Sequence, residues 1–264
     1  MHIIFLTTGG TIDKDYPHTT NGWAFEFGDE TAIERLLSQR FINPSVTYDI
    51  ISVCKKDSLE ITNDDRDQIW NCIYQNTMTQ QRTQRTRQSS KSSSSNDNNS
   101  TTTATTTTTD DDAVDAVVGF VITHGTDTLI ETAQYLSTKI NNNTLQQQQD
   151  QELLLQQLQS KPMPSIISST SSKPTWVLPT PIIVMTGAMR PERFTNSDAP
   201  MNVGMAIGAV QMLMLAMTQQ EEKQQHPLLE RRSSTSSNDV YVAMSGVVKS
   251  CWTIQRNLQT GQFY

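Results

Sequence analysis

The strand-turn-helix pattern that decides the fold is carried by residues 117–140, VVGFVITHGTDTLIETAQYLSTKI. Residues 117–123 form an apolar run of strand length, and small and polar residues follow it. Residues 127–140 then carry apolar side chains at the spacing of one helical face. We therefore predict a buried strand that leads through a polar turn into a helix. The apolar positions of that helix are Leu129, Ile130, Ala133 and Leu136.

Strand and helix patterns alternate along the rest of the chain. The predicted strands are residues 2–7, 46–53, 117–123, 182–186 and 240–244. The predicted helices are residues 30–41, 63–75, 127–140 and 201–217. This alternation predicts an α/β fold with a doubly wound, mostly parallel sheet, built from Rossmann or flavodoxin-like layers.

Three low-complexity segments interrupt the alternation. They are rich in Gln, Ser, Thr and Asn, and they lower the hydrophobic share of the chain to 35%. Their few apolar side chains cannot offset the entropy lost on ordering, so we predict that these segments are disordered inserts. Each insert precedes a predicted strand, which places it at the amino end of the sheet. The predicted inserts are about residues 79–112, 141–173 and 219–238, within a single domain over residues 1–264.

Charge, cysteine spacing and apolar runs argue against several kinds of protein. The formal net charge is −7, so the chain lacks the basic face that nucleic acid binding needs. The three cysteines are widely spaced and indicate free thiols in a reducing compartment, and we expect neither a metal nor a cofactor. No signal-peptide pattern is present, and the apolar stretch of residues 203–217 is shorter than a bilayer span. We therefore expect a cytoplasmic protein without a membrane partner, in which that stretch is a buried helix.

Small and polar residues follow four of the predicted strands, at the point where each strand ends. Because the carboxyl ends of parallel strands meet at one edge of a sheet, these loops are expected to surround one ligand crevice. The four loops are residues 8–12 (TGGTI), 56–58 (KDS), 123–128 (THGTDT) and 186–191 (TGAMRP).

These motifs resemble the signature segments of the asparaginase family. TGGTI, HGTDT and TGAMRP followed by Ser197 and Asp198 occur in the family's order. The similarity is closer to short members that have only the amino-terminal domain, in TTGGTIDK, KDSLEIT, VITHGTDTLIETA, TGAMRPERFTNSDA and YVAMSG. The resemblance covers every segment predicted as structured, and it leaves out the inserts. It implies the fold of the asparaginase amino-terminal domain. It also implies hydrolysis of the side-chain amide of L-asparagine, or of a related small amide, to aspartate and ammonia.

The residues in these loops suit amide hydrolysis, which needs a nucleophile, a proton acceptor and donors for the oxyanion. Thr11 follows two glycines that let backbone N–H groups approach a ligand, although a threonine in a simple turn gives the same pattern. Thr126 and Asp127 stand at a predicted helix start, where capping of the helix is the alternative. The resemblance implies that Thr11 is the nucleophile and Thr126 the second catalytic hydroxyl. Asp127 would hold the α-amino group of the substrate and join a Thr–Lys–Asp relay.

Further residues of the same loops are candidates for substrate binding. By resemblance, Ser58 contacts the α-carboxylate of the substrate. Asp57, Gly10 and Gly125 complete the predicted substrate-binding set. His124 is interpreted as a structural hydrogen-bonding residue rather than a base.

The sequence departs from the family pattern at the relay lysine. Alignment of residues 243–246 with the last strand of the family places Arg256 at that position. A guanidinium group keeps its proton in proteins and cannot act as a proton shuttle. Lys249 is nearby but differently spaced. Leu59 stands where larger members have a polar residue that touches substrate, and Tyr16 is the one hydroxyl-bearing aromatic in the mobile-loop region.

The sequence is compatible with three functions. The chain is an amidohydrolase acting on a small-molecule amide, a catalytically weak or inactive binding protein of the same fold, or the amidase component of a transamidation complex. Without the second domain of the family the crevice is exposed, which suggests a homodimer. Arg256 belongs to the predicted catalytic set together with Thr11, Thr126 and Asp127.

Overall fold

A computed structural model of the chain describes residues 1–16, 24–39, 46–91, 118–159, 180–224 and 239–264. The strands are β1 (His2–Gly9), β2 (Lys14–Asp15), β3 (Glu26–Phe27), β4 (Thr47–Lys56), β5 (Val118–Thr123), β6 (Ile182–Thr186), β7 (Val240–Met244) and β8 (Val247–Ser250). The helices are α1 (Ala32–Gln39), α2 (Asn63–Lys91), α3 (Leu129–Gln159) and α4 (Ala199–Gln224).

Six strands form one mostly parallel sheet in the order β4-β1-β5-β6-β7-β8. β1 pairs in parallel with β4 on one side and with β5 on the other. Among the described strands of this sheet, only β8 is antiparallel to its neighbour. The predicted α/β class and mostly parallel sheet are confirmed. The short ribbon of β2 with β3 and the edge strand β8 were not predicted.

The sheet has a hydrophobic core on each face, because successive side chains of a strand point to opposite sides. Ile4 and Leu6 of β1 face the core that α2 and α3 cover, whereas Ile3 and Phe5 face the core that α1 and α4 cover. All four side chains are essentially inaccessible to solvent. Burial of each large apolar side chain contributes about 1.5–3 kcal/mol, so β1 is a main source of stability.

Helix α4 begins with a long apolar segment and lies against the sheet. Val203, Val210 and Met214 are buried on it, and Gly119 of β5 leaves the space that Val210 occupies. By length and composition alone, Ala199–Met217 is the one helix of the described residues that could cross a membrane. The helix predicted over residues 201–217 is thus found, and one of its faces packs on β5, β6 and β7.

Three helices are longer than their apolar patterns predicted. α2, α3 and α4 continue past residues 75, 140 and 217 and take in residues 79–91, 141–159 and 219–224 of the expected inserts. Gln, Leu and Arg have good helix propensity, and extending an existing helix adds one hydrogen bond per residue. Polar tails therefore propagate a helix without an apolar face. The remaining insert residues, 92–112, 160–173 and 225–238, lie outside the described residues.

Candidate active site

The loops after β1, β5 and β4 touch one another through their backbones. Gly10 has φ +79°, and a Cβ atom added to it would lie 2.4 Å from the Cα and N atoms of Gly125. A Cβ atom on Gly125 would lie 2.5 Å from the Cβ atom of Ser58. Gly10 also donates from its N–H to the Lys56 carbonyl over 2.9 Å. Only glycine permits these approaches, so the two glycines bring the three loops together.

The two candidate hydroxyl residues directly follow these glycines. Thr11 begins a single 3-10 turn and is half-buried. Thr126 is buried just before α3. Because Gly10 contacts Gly125, the structure brings the backbones that carry Thr11 and Thr126 to the same place at the carboxyl edge of the sheet.

Asp127 is linked to residues from two other segments. The Ser58 hydroxyl donates to the Asp127 carboxylate over 3.2 Å, and the Arg256 guanidinium donates to its other oxygen over 2.8 Å. Arg256 also donates to the Thr126 carbonyl over 3.1 Å. Lys249 lies elsewhere, exposed on the edge strand β8 opposite Val242. Arg256, not Lys249, is therefore the cation at Asp127.

Asp57 is held by groups on both sides of it. Its carboxylate accepts from the Leu59 N–H over 3.3 Å and forms an ion pair with Lys14. Burial raises the pKa of Asp57, but the bonds from Lys14 and Leu59 outweigh burial and keep the pKa below its usual value. Sequence reasoning missed Lys14, because its partner lies 43 positions away and no motif joins them.

His124 has a structural position beneath the site. Burial lowers its pKa to about 4, so the ring is neutral at pH 7. Its Nδ1–H donates to the Gly125 carbonyl over 2.8 Å, and its Nε2 accepts from Thr132 over 3.1 Å. Arg66 in turn donates to the Thr132 hydroxyl over 3.1 Å. This chain of hydrogen bonds fixes the Gly125 loop and leaves no ring nitrogen free to act as a base.

The loop after β6 is braced by the start of α4. Asp198 accepts from the Met189 and Arg190 N–H groups over 3.0 and 3.1 Å. Asn202 donates to the Gly187 carbonyl over 3.0 Å. These bonds join the motif residues at 186–191 to Asp198 and Asn202 in one unit.

The aromatic residues near Thr11 are partly exposed. The Tyr16 ring lies 6.0 Å from that of Phe194, and the Lys14 ammonium lies 4.1 Å from the Phe25 ring centroid. Trp23, the third aromatic of this region, is outside the described residues. Within the part of the chain that the structure describes, no three His, Cys, Asp or Glu residues are grouped as metal ligands would be.

Asp13, two residues after Thr11, is a half-buried carboxylate that sequence reasoning also missed. It accepts from the Ala32 N–H at the start of α1 over 2.6 Å. Burial raises its pKa to about 6, although the Ala32 bond and the charge of Arg35 oppose the rise. Its charged form is therefore destabilising in the folded state.

We expect Asp13→Asn to stabilise the protein at neutral pH. Because the folded-state pKa is raised from 3.8 to about 6, the Asp13 contribution to stability is present below about pH 4 and lost as pH rises through about 6. The variant keeps an acceptor for Ala32 but carries no charge, so its free energy of unfolding should exceed that of the wild type by about 1–3 kcal/mol at pH 7.5. The difference should vanish near pH 4.

Urea unfolding of both proteins across this pH range measures the effect. Asp29→Asn, at an exposed aspartate of the same region, is the matched control and should change nothing. If the free energies of unfolding of Asp13→Asn and the wild type differ by the same amount from pH 4 to pH 7.5, the raised pKa of Asp13 is contradicted.

Comparison with known proteins agrees with this architecture. The family model described as "Asparaginase, N-terminal" matches residues 2–145, more than half of the chain. No curated protein matches. Among solved structures, L-asparaginase I from Vibrio cholerae O1 biovar eltor strain N16961 is similar at 16% identity and a TM-score of 0.51, over 100% of this chain and 50% of that one.

Two further solved structures are similar at lower TM-scores. The thermostable L-asparaginase from Thermococcus kodakarensis has 18% identity and a TM-score of 0.49, over 100% of this chain and 51% of that one. A probable cytoplasmic L-asparaginase from Campylobacter jejuni has 18% identity and a TM-score of 0.45, over 99% and 50%. The present chain spans about half the length of each of these proteins.

Proposed function

The chain belongs to the asparaginase family, and from that premise we propose that it hydrolyses the side-chain amide of L-asparagine, or of a related small amide. The products are aspartate and ammonia. The observation that carries this proposal is the group formed by Ser58, Asp127 and Arg256 beside the Gly10–Gly125 contact. Polar groups from four separate segments meet where a ligand of a parallel sheet is expected.

In the proposed reaction Thr11 attacks the amide carbon with its hydroxyl oxygen. The C–N bond breaks, the nitrogen leaves as ammonia with the proton of the hydroxyl, and an ester joins Thr11 to the acyl group. Water then hydrolyses the ester, which releases aspartate and restores Thr11. Thr126 is the second hydroxyl. The glycine backbones beside Thr11 and Thr126 permit N–H groups to approach the developing oxyanion.

Asp127 and Ser58 would bind the polar groups of the substrate. Asp127 offers a carboxylate to the α-amino group, and Ser58 and Asp57 stand on the side where the α-carboxylate is expected. The Gly125 backbone is held in place by the neutral His124 ring, which supports a preorganised site.

Arg256 supplies charge and orientation in this proposal but no proton transfer. Its guanidinium holds the Asp127 carboxylate and the Thr126 carbonyl. Since arginine keeps its proton at any working pH, we expect a slow enzyme. The substitution Arg256→Lys should therefore raise kcat, by up to about 10²-fold, because a lysine can exchange the proton.

Steady-state kinetics of wild type, Arg256→Lys and Arg256→Gln test this expectation. KM should change much less than kcat in Arg256→Lys, and Arg256→Gln should be slower than the wild type because it also loses the charge. Equal or lower kcat in Arg256→Lys would mean that another group moves the proton, with Lys249 the first to be replaced.

A second candidate function is that of a binding protein with little turnover. The arginine at position 256 favours it, since the charge that orders Asp127 is kept while a proton-transfer group is not. Action as the amidase component of a transamidation complex is a third candidate function.

We also propose a single domain over residues 1–264, a homodimer, and a cytoplasmic location. The free Cys54, Cys72 and Cys251 fit the proposed location.

The purified chain with L-asparagine separates these functions. Hydrolysis predicts equal amounts of ammonia and L-aspartate, with L-glutamine as the comparison amide. A rise in Tm on adding L-asparagine without ammonia release supports the binding protein. The absence of both effects would contradict both functions, and activity that requires a co-purified protein would support the complex.

A further inference from the structure

We propose that Lys14 binds the carboxylate of the substrate and is a specificity-determining residue of this site. This inference rests on the proposed function and adds one residue to the proposed site. Lys14 ends the segment TTGGTIDK and lies two residues beyond the predicted loop of residues 8–12, so it was not among the predicted site residues. The position, the surroundings and the charge of Lys14 each support its role in binding the substrate carboxylate.

The position of Lys14 joins the Thr11 turn to the Ser58 loop. Its backbone N–H donates to the Thr11 carbonyl and closes the 3-10 turn. Its ammonium group is paired with Asp57, the residue before Ser58. Lys14 therefore links the turn that begins at Thr11 to the loop that carries Ser58.

The surroundings of Lys14 keep its ammonium in place and partly away from water. Only 14% of its side chain is exposed, and the Phe25 ring centroid is 4.1 Å from its nitrogen. An ammonium has three N–H donors. Within the described residues, the bond to Asp57 uses one donor and the Phe25 ring covers another side. The described residues thus leave one N–H donor of Lys14 without an acceptor.

Two carboxylates near Ser58 would repel a substrate carboxylate unless a cation offsets their charge. The Ser58 hydroxyl lies 3.4 Å from the Asp57 carboxylate and 3.2 Å from that of Asp127. A substrate carboxylate bound at Ser58 would thus meet two negative groups, and like charges repel most strongly where water is excluded. The exposed, apolar Leu59 gives no compensation. Lys14 supplies the positive charge on this side, as Arg256 does on the other.

Binding and kinetics of Lys14→Gln test the role. We expect the Kd for L-aspartate and the KM for L-asparagine to rise about 10–100-fold, while kcat stays within about threefold. The decarboxylated analogue 3-aminopropanamide keeps the amine and the amide but lacks the carboxylate, so its kcat/KM should not change. Lys14→Arg, which keeps the charge, should restore binding of L-aspartate to within about threefold.

The matched control is Lys55→Gln, which removes a neighbouring lysine that donates to the Gly28 and Asp29 carbonyls. It should leave L-aspartate binding unchanged. Three results would each overturn the proposal. In Lys14→Gln these are equal losses for L-asparagine and 3-aminopropanamide, or an unchanged Kd for L-aspartate. The third is that the wild type does not bind L-aspartate. Lys14-dependent binding of L-aspartate without ammonia release would support it while refuting hydrolysis. Should Lys14→Gln fail to fold, loss of L-aspartate binding in folded Lys14→Arg would overturn the role.

Discussion

Replacing Thr11 by alanine is expected to lower kcat for L-asparagine by about 10⁴-fold or more, because the proposed reaction loses its nucleophile. Thr11 is half-buried in a short turn, and alanine fits the same backbone, so the fold should be unchanged. L-Aspartate should still bind, since Ser58, Asp127 and Lys14 remain. Release of ammonia under saturating L-asparagine measures the loss.

Thr11→Ser is the matched variant, because it keeps a hydroxyl at the same position. Its activity should lie well above that of Thr11→Ala. If Thr11→Ala retains more than about a tenth of the wild-type kcat, the nucleophile is elsewhere. Thr126, beside the other glycine of the contact, would then be the next residue to replace.

Replacing Gly10 by alanine is expected to destabilise the protein by at least about 3 kcal/mol and to abolish activity. Two effects add: the backbone has φ +79°, which disfavours every residue with a Cβ atom, and the added carbon would lie 2.4 Å from backbone atoms of Gly125. Because those atoms belong to the backbone, no side-chain rotation relieves the clash. The loops that carry Thr11 and Thr126 would separate.

Gly204→Ala is the control for this substitution. Gly204 lies in α4, and a Cβ atom added there would have nothing within 4 Å. Alanine should stabilise this helix by up to about 1 kcal/mol and leave activity unchanged. Thermal unfolding and ammonia release of the two variants measure both effects. A Gly10→Ala protein with wild-type Tm would mean that the two loops are not in contact.

The strands of the sheet could be predicted from the sequence because their signals are local. Residues 182–186 are a short run of apolar and β-branched side chains, and the structure buries all five. The helix ends could not be predicted in this way, because residues 141–159 are mostly Gln and Asn and their composition indicated an insert, whereas α3 continues through them. β2 and β3 have two residues each, too few for an alternating pattern.

In the candidate site, too, the features with local sequence signals could be predicted and the long-range contacts could not. The loops at residues 8–12 and 123–128 have motifs of their own, so their approach could be inferred once a parallel sheet was predicted. Lys14 pairs with Asp57 only through the way the turn after β1 folds back toward β4. Arg66 and Thr132 meet beneath His124 through the packing of α2 on α3. Contacts of this kind depend on three-dimensional packing, for which a single sequence carries no pattern.

The central position of β1 in the sheet affects folding during synthesis, because β1 is made long before its neighbour β5. Both edges of β1 are occupied in the finished sheet, yet His2 pairs with Val118, more than a hundred residues later. At a synthesis rate of about 5–20 residues per second, β5 leaves the ribosome roughly 6–23 s after β1. Throughout that interval an apolar strand edge stays open to pairing with other nascent chains. Losses to aggregation should therefore depend on translation speed and on chaperones that shield this edge, more than on the stability of the completed sheet.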